Sequence, residues 1–328
     1  MTMTVARDDA AARRRTAPAD RPTVSFELFP PRTPEGFRRL TETIAALERA
    51  RPDFVSVTYG ASGRTRQTTR RLVAQILHTT SLTPIAHLTC VDASRDETVA
   101  VIEEFLDEGV RSFLALRGDP PAGEVDWRPH PDGLRTAAEL VTLLREVEAA
   151  RCARSQAQAV RGLVRPLSVA VAAFPRGNHA TGGTRADDVA ALLAKQRAGA
   201  DFAITQVFWD APSYLELVGE ARSAGVTIPI IPGILPATDP GRLARVGELT
   251  GVEPPAELLA RLAGYDDPAQ AHDAGIRATA DLVAAVLDGG APGIHVYTFN
   301  QQRAALDLLD LTHLGGAPAP RTEPKDLA

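Results

Sequence analysis

Two carboxylates, a histidine and an amide stand at the ends of short apolar runs in this chain, where they could do acid–base chemistry. Val24-Ser25-Phe26-Glu27 ends in a glutamate, and the run from Phe113 through Arg117-Gly118 ends in Asp119. A carboxylate at the carboxyl end of a buried strand loses its hydration, so structural need alone rarely places one there twice. Collecting such strand ends along the chain gives Glu27, Thr58, Tyr59, His87, Asp119, Phe174, Gln206, Gly233 and Tyr297. That mixture suits proton transfer to a bound heterocycle. One carboxyl, its affinity for the proton raised by burial, acts as general acid, and the other stays ionised and hydrogen-bonds the ring.

Other chemistries fare worse on inventory. Lys195 and Lys325 are the only lysines and neither lies in a strand, which leaves no Schiff-base nucleophile. No Gly-x-Ser-x-Gly elbow exists for a serine nucleophile. Glu27, His87 and Asp119 form a conceivable metal set, but no HxH or HExxH spacing supports it, so no metal is expected. Each residue also has a structural reading. Glu27 could belong to a buried ion pair, Asp119 could cap its Gly-Asp-Pro turn, Gln206 and His87 could be satisfied core polar groups, and Phe174 and Tyr297 could simply pack.

The elements that must position these residues alternate from end to end. Strands are expected at 23–29, 53–58, 84–90, 112–117, 167–173, 202–208, 228–235 and 293–299. Helices are expected near 35–50, 66–79, up to 108 after a cap at Asp92 or Ser94, 132–150, 184–198, 211–224, 239–250 and 300–314. Two further helices, near 254–263 and 267–288, lie between the seventh and eighth strands. Apolar runs separated by amphipathic helices indicate parallel strands buried on both faces. Eight such units fit a single-domain (β/α)8 TIM barrel, an α/β fold, and the absence of any GxGxxG after a strand argues against a doubly wound sheet. Residues 1–22 and 315–328 read as flexible tails flanking a 23–314 catalytic barrel. Residues 151–166, basic and poorly patterned, read as a solvated insertion.

Bulk properties narrow the setting. The chain has 328 residues, 44% hydrophobic and 23% charged, with a net charge of −5 and hence no basic footprint for nucleic acid. Cys90 and Cys152 are the only cysteines, too few for a disulfide framework. No apolar run is long enough for a membrane span, and Arg13-Arg14-Arg15 has no apolar region after it, so a cytoplasmic protein is expected.

Seven runs in order, VSFELFPPRTPEGF (24–37), PDFVSVTYGA (52–61), HLTCVDAS (87–94), FLALRGDPP (113–121), AITQVFWD (203–210), IPIIPGILP (228–236) and HVYTFN (295–300), resemble the methylenetetrahydrofolate reductase family. The resemblance implies a barrel that reduces 5,10-methylenetetrahydrofolate to 5-methyltetrahydrofolate with NADH or NADPH, with FAD as the usual cofactor. It implies that Glu27 is the general acid, that Asp119 contacts the pterin and influences the hydride donor, and that Gln206 contacts folate and nicotinamide. It further implies that Thr58, Tyr59, Ala61, His87, Arg117, Gly118, Asp119, Phe174, His179, Asp188 and Lys195 hold the flavin, and that Gln206, Tyr297 and Gln301 meet the substrate. A homo-oligomer is an expectation of the same kind. A non-catalytic folate-binding barrel and a metal-dependent lyase or hydrolase are the alternatives.

The chain departs from the family pattern where the flavin phosphates would sit. Ala191 and Ala194 replace an asparagine and an arginine, and Pro240 and Gln301 stand where a phenylalanine and an arginine are common. Losing a bidentate guanidinium from a pyrophosphate site weakens binding about tenfold to a few hundredfold. Arg176 and Arg185 lie close enough in sequence to replace the lost charge, so two readings stand side by side: the flavin-bound state usual in the family, and weakened or absent flavin binding, in the limit with hydride passing directly from NADH.

Overall fold

A computed structural model of the protein describes residues 21–59, 63–91, 93–118, 128 and 130–315. Its strands are β1 (Thr23–Leu28), β2 (Phe54–Val57), β3 (Pro84–Thr89), β4 (Ser112–Leu116), β5 (Ser168–Ala173), β6 (Phe202–Thr205), β7 (Ile230–Ile231), β8 (Gly233–Ile234) and β9 (Gly293–Tyr297). The α-helices are α1 (Pro34–Arg49), α2 (Gly63–Thr79), α3 (Arg95–Asp107), α4 (Ala137–Arg154), α5 (Gln156–Val164), α6 (Arg185–Arg197), α7 (Ala211–Ser223), α8 (Pro240–Thr250), α9 (Ala256–Ala263), α10 (Pro268–Asp288) and α11 (Gln302–Thr312). All strand pairings are parallel, in the order β7-β6-β5-β4-β3-β2-β1-β9-β8. The result is a (β/α)8 barrel, with α9 and α10 as the extra helices before the last strand.

The period of two along the strands sorts side chains between two environments. One phase, including Val24, Phe26, Val55, Val57, Phe113, Val169 and Val171, packs outward against the helices in the main core. The other phase points into the barrel and changes character with height. Near the amino end it is apolar, with Phe54, Ile85 and Phe202 (the rings of Phe54 and Phe202 lie 5.6 Å apart). Above them His295 stacks on Phe54 at 5.9 Å, its Nδ1 2.8 Å from the Ser25 hydroxyl and its Nε2 3.3 Å from that of Ser56. Glu27, His87 and Tyr297 come next, at the carboxyl ends.

Helix ends follow local chemistry. Ser94 caps α3 in a capping box with Glu97, and Thr184 caps α6 reciprocally with Asp187. Asp92, the alternative cap, lies outside the described residues, as do residues 1–20 and 316–328 of the expected tails.

Two expectations are corrected. Residues 151–166 are not an unpatterned insertion. Helix α4 continues to Arg154, and Ser155, with φ −157° and ψ 148°, breaks it and caps α5 by accepting from the Gln158 N–H. None of the residues of α5 is buried, and its apolar stripe, Val160, Leu163 and Val164, stays exposed. The expected seventh strand, 228–235, is two short pieces. Pro232 has no N–H to continue a ladder. Its carbonyl instead accepts from His295 N–H at 2.9 Å, while β7 pairs with β6 and β8 with β9, closing the cylinder. Thr205 stitches this closure: its hydroxyl accepts from Gly233 N–H at 2.9 Å and its carbonyl from the Tyr297 hydroxyl at 2.6 Å.

Candidate active site

The carboxyl ends of the strands open into a cleft of about 640 Å³ lined by Glu27, Thr58, His87, Arg117, Gly118, Phe174, His179, Asp188, Lys195, Gln206 and Tyr297, among others. Residues separated by up to 270 positions in sequence thus meet on one surface, as a barrel requires. A second cavity, about 740 Å³, opens at the amino end around Phe54, Ile85 and Phe202. Its acids are already paired, Asp53 with Arg21 at 3.1 Å and Asp201 with Arg145 at 2.7 Å, which leaves no free acid–base group there among the described residues.

Glu27 is set by register. It lies opposite Ser56 on β2 and Tyr297 on β9. Its side chain is 22% exposed through the cleft, and its Oε2 lies 3.8 Å from His87 Nε2. Burial pushes the Glu27 carboxyl up to about 8 and pushes His87 down to about 3. Both groups are therefore neutral near pH 7, one holding a proton and the other not. His87 Nε2 is buried without a hydrogen-bond partner among the described residues. His295 is also neutral, lowered to about 3 by burial and then by His87. The Tyr297 hydroxyl is raised well above its usual value by burial and then by Glu27, and it is engaged with the Thr205 carbonyl. Tyr297 lines the cleft while bracing it.

Gln206 lies just beyond β6. Its amide oxygen accepts from Val207 N–H at 2.8 Å, leaving its two N–H donors unengaged among the described residues. Gly118 adopts φ +88°, and a Cβ there would come 2.5 Å from Val91 Cγ1, so the turn after β4 needs glycine. Arg117 Nε donates to the Gly118 carbonyl at 3.2 Å.

The far end of the cleft carries the family departures. The Lys195 ammonium is buried and donates to the Ala172 carbonyl at 2.8 Å. Asp188 accepts from Phe174 N–H at 2.9 Å. Burial raises the Asp188 carboxyl and lowers the Lys195 ammonium, and each offsets the other. His179 packs on the loop after α8, since a Cβ at Gly251 would lie 2.7 Å from its own Cβ. Arg185, a possible substitute cation, is held by Glu216 and Glu220 at 2.6 and 2.7 Å. Ala191 lines the cleft and Ala194 does not. Thr58, His87, Arg117 and Gly118, expected around a flavin ring, all line the cleft, whereas of the cations expected toward its phosphates Lys195 is engaged by the Ala172 carbonyl and Arg185 by Glu216 and Glu220.

Some expected site residues fall elsewhere. Asp119 and Ala61 lie outside the described residues. Tyr59 packs, half-buried, against the main core and is not among the residues lining the cleft. Gln301 is likewise off the cleft, at the start of α11. Sequence reasoning missed His295 and Arg135, which both line the cleft. The inward phase of β9, two residues before Tyr297, marks His295. Among the described residues no group of three His, Cys, Asp or Glu could hold a metal ion, and no helix is long and apolar enough to cross a membrane.

Comparison with known proteins agrees with this geometry. The family model described as methylenetetrahydrofolate reductase matches residues 12–313. The 5,10-methylenetetrahydrofolate reductase of Escherichia coli K12 is 36% identical over 279 residues, covering 85% of this chain and 86% of the relative. Methylenetetrahydrofolate reductase (NADH) 1 of Arabidopsis thaliana is 29% identical over 294 residues, 87% of this chain and 47% of that one. A solved protein from Clostridium thermocellum, described as binding two copies of 5-methyl-5,6,7,8-tetrahydrofolic acid, superposes with a TM-score of 0.58 at 13% identity. It covers 90% of this chain and 96% of its own, and that likeness concerns the fold.

Proposed function

Because the chain belongs to the methylenetetrahydrofolate reductase family, an oxidoreductase family, we propose that it reduces 5,10-methylenetetrahydrofolate to 5-methyltetrahydrofolate with NADH, using Glu27 as the acid. The observation that carries this reading is a carboxyl held near 8 beside a histidine held near 3, at the mouth of a barrel.

Glu27 gives its proton to N10 of the folate, the bond from N10 to the bridging methylene breaks, and a 5-iminium ion forms. The hydride of NADH then adds to the iminium carbon, making the N5-methyl group and NAD⁺, and water reprotonates Glu27. A general acid placed in this way contributes about 10²–10⁴-fold. His87, neutral throughout, adds no competing positive charge beside the cationic intermediate. Gln206 offers its two N–H donors to substrate acceptors, and Asp119 supplies the second carboxylate. The nicotinamide assignment is supported by the NADH in the names of the plant relatives. A flavin, where bound, would relay the hydride, but the engagement of Lys195 with Ala172 favours weak retention or none.

The test is oxidation of NADH dependent on 5,10-methylenetetrahydrofolate, with and without added FAD, together with the flavin absorbance of the purified protein. Absence of folate-dependent oxidation under both conditions would sink the reading.

A further inference from the structure

The cavity at the amino end of the barrel takes no part in the proton chemistry, yet its walls are built like a core. Phe54, Ile85 and Phe202 form its apolar floor, and Pro22, Pro229 and Pro292 also line it. Phe54 and Phe202 are only half-buried there, although both belong to the inward phase of their strands. An opening of about 740 Å³ over such a floor is apolar surface of a kind that marks an interaction site. Phe54 also stacks on His295 at 5.9 Å, and His295 lines the active cleft. One layer of rings therefore lies between the two cavities.

The chain enters the barrel through the wall of this cavity. Arg21, Pro22 and Thr23, the first three described residues, all line it. Arg21 donates to both Asp53 oxygens at 3.1 and 3.2 Å, and the Thr23 N–H donates to the Pro292 carbonyl at 3.0 Å. Residues 1–20 are thus tethered at the cavity wall. Those nearest the tether are small and apolar, Ala17, Pro18 and Ala19, with Ala10, Ala11 and Ala12 further upstream. At about 3.3–3.6 Å per residue, Ala17 lies within about 14 Å of Arg21 and Ala10 within about 40 Å, so both groups can reach the floor. Between them come Arg13, Arg14 and Arg15. The cavity wall answers with Asp53 and Asp201, whose side chains are 36% and 47% exposed in their existing pairs. Ser112 and Ser168, register partners on β4 and β5, add hydroxyls to the wall that suit the N–H and C=O groups of an entering backbone.

We propose that residues 1–20 fold back over the amino end of their own barrel, with residues 10–19 filling the cavity. A free occupant must give up its translational freedom to bind, whereas a segment tethered at the wall meets the site at high effective concentration. Seated there, the segment keeps water from the underside of the layer formed by Phe54 and His295. The proposal is independent of the reductase reading.

The experiment uses the full chain and needs no folate. Trypsin cleavage after Arg13, Arg14 and Arg15 is timed in wild type, in Ala17→Asp/Ala19→Asp and in Ser168→Trp, against a free peptide of residues 1–20. Wild type should be cut about tenfold or more slowly than the peptide, at every protein concentration. Charges placed in the segment, or an indole placed in the cavity, should each bring the rate to within about twofold of the peptide while circular dichroism stays unchanged. Fluorescence of the apolar dye anilinonaphthalenesulfonate should rise in Ala17→Asp/Ala19→Asp and stay low in wild type and Ser168→Trp. Wild type cut as fast as the peptide, or binding the dye as strongly as the aspartate variant, overturns the proposal. Protection that grows with protein concentration assigns the cavity to a second copy and overturns it equally. Protection that neither variant relieves puts the segment on another surface and also overturns it. Should Ser168→Trp fail to fold, the aspartate variant, which leaves every barrel residue intact, decides alone.

Discussion

Replacing Glu27 with glutamine should make the protein more stable at alkaline pH while removing its activity. In the folded chain burial holds the carboxyl proton up to about 8, against an ordinary value of 4.5. A folded state that keeps a proton the unfolded chain releases loses stability as pH rises through that window. At 1.36 kcal/mol per pH unit, wild type should lose up to about 4 kcal/mol between about pH 5 and pH 8 that Glu27→Gln retains. His87 and His295, lowered by burial to about 3 from an ordinary 6.5, gain stability as pH rises to about 6.5, but wild type and variant share that gain and it cancels in the comparison. Urea unfolding followed by circular dichroism at several pH values reads the difference directly. The two stability curves should meet near pH 5 and diverge steadily toward pH 8, while folate-dependent NADH oxidation by the variant falls about 10²–10⁴-fold. Stability curves that stay parallel across the range would refute a buried, protonated Glu27, whatever happened to the rate.

Further outcomes follow from neighbouring features. Gly118→Ala, with φ +88° and Val91 Cγ1 2.5 Å from the added carbon, should destabilise by about 2 kcal/mol in urea unfolding and depress activity by shifting the turn after β4. Lys195→Met removes the ammonium that offsets Asp188 and should destabilise by about 3 kcal/mol. Adding Asp188→Asn should recover part of this, with a coupling of about 1 kcal/mol or more in a double-mutant cycle. Ala191→Asn/Ala194→Arg should tighten FAD about tenfold or more, measured by flavin fluorescence titration, and unchanged affinity would remove the phosphate end as the reason for weak retention.

How much of this was legible in the sequence depended on whether a feature was local. The strand phases were readable because β1, β3 and β5 run apolar on their outward side, and Glu27 and His87 interrupt the inward side at its end. Helix α3 was readable from Ser94 and Glu97. The split at Pro232 was not read, because a run of Ile and Pro looks continuous until neighbouring strands claim separate halves of it. Helix α5 was missed because its short apolar stripe, Val160, Leu163 and Val164, lies among arginines and stays exposed rather than entering the core. Gln301 and Tyr297 were assigned to substrate from the family resemblance. Their partners, Arg242 and the carbonyl of Thr205, lie 59 and 92 residues away and no local pattern names them.

The closure at Pro232 has a mechanical consequence. Elsewhere adjacent strands share three or more paired residues, but here each half of the hem is joined over two pairs, and Thr205 supplies the extra thread. Local opening of a fold begins where backbone bonds are fewest. The wall between Gln206 and Tyr297 is therefore where the cylinder unbuttons first, and a Thr205→Val chain should exchange the Gly233 amide proton faster than wild type while its outer helices stay protected.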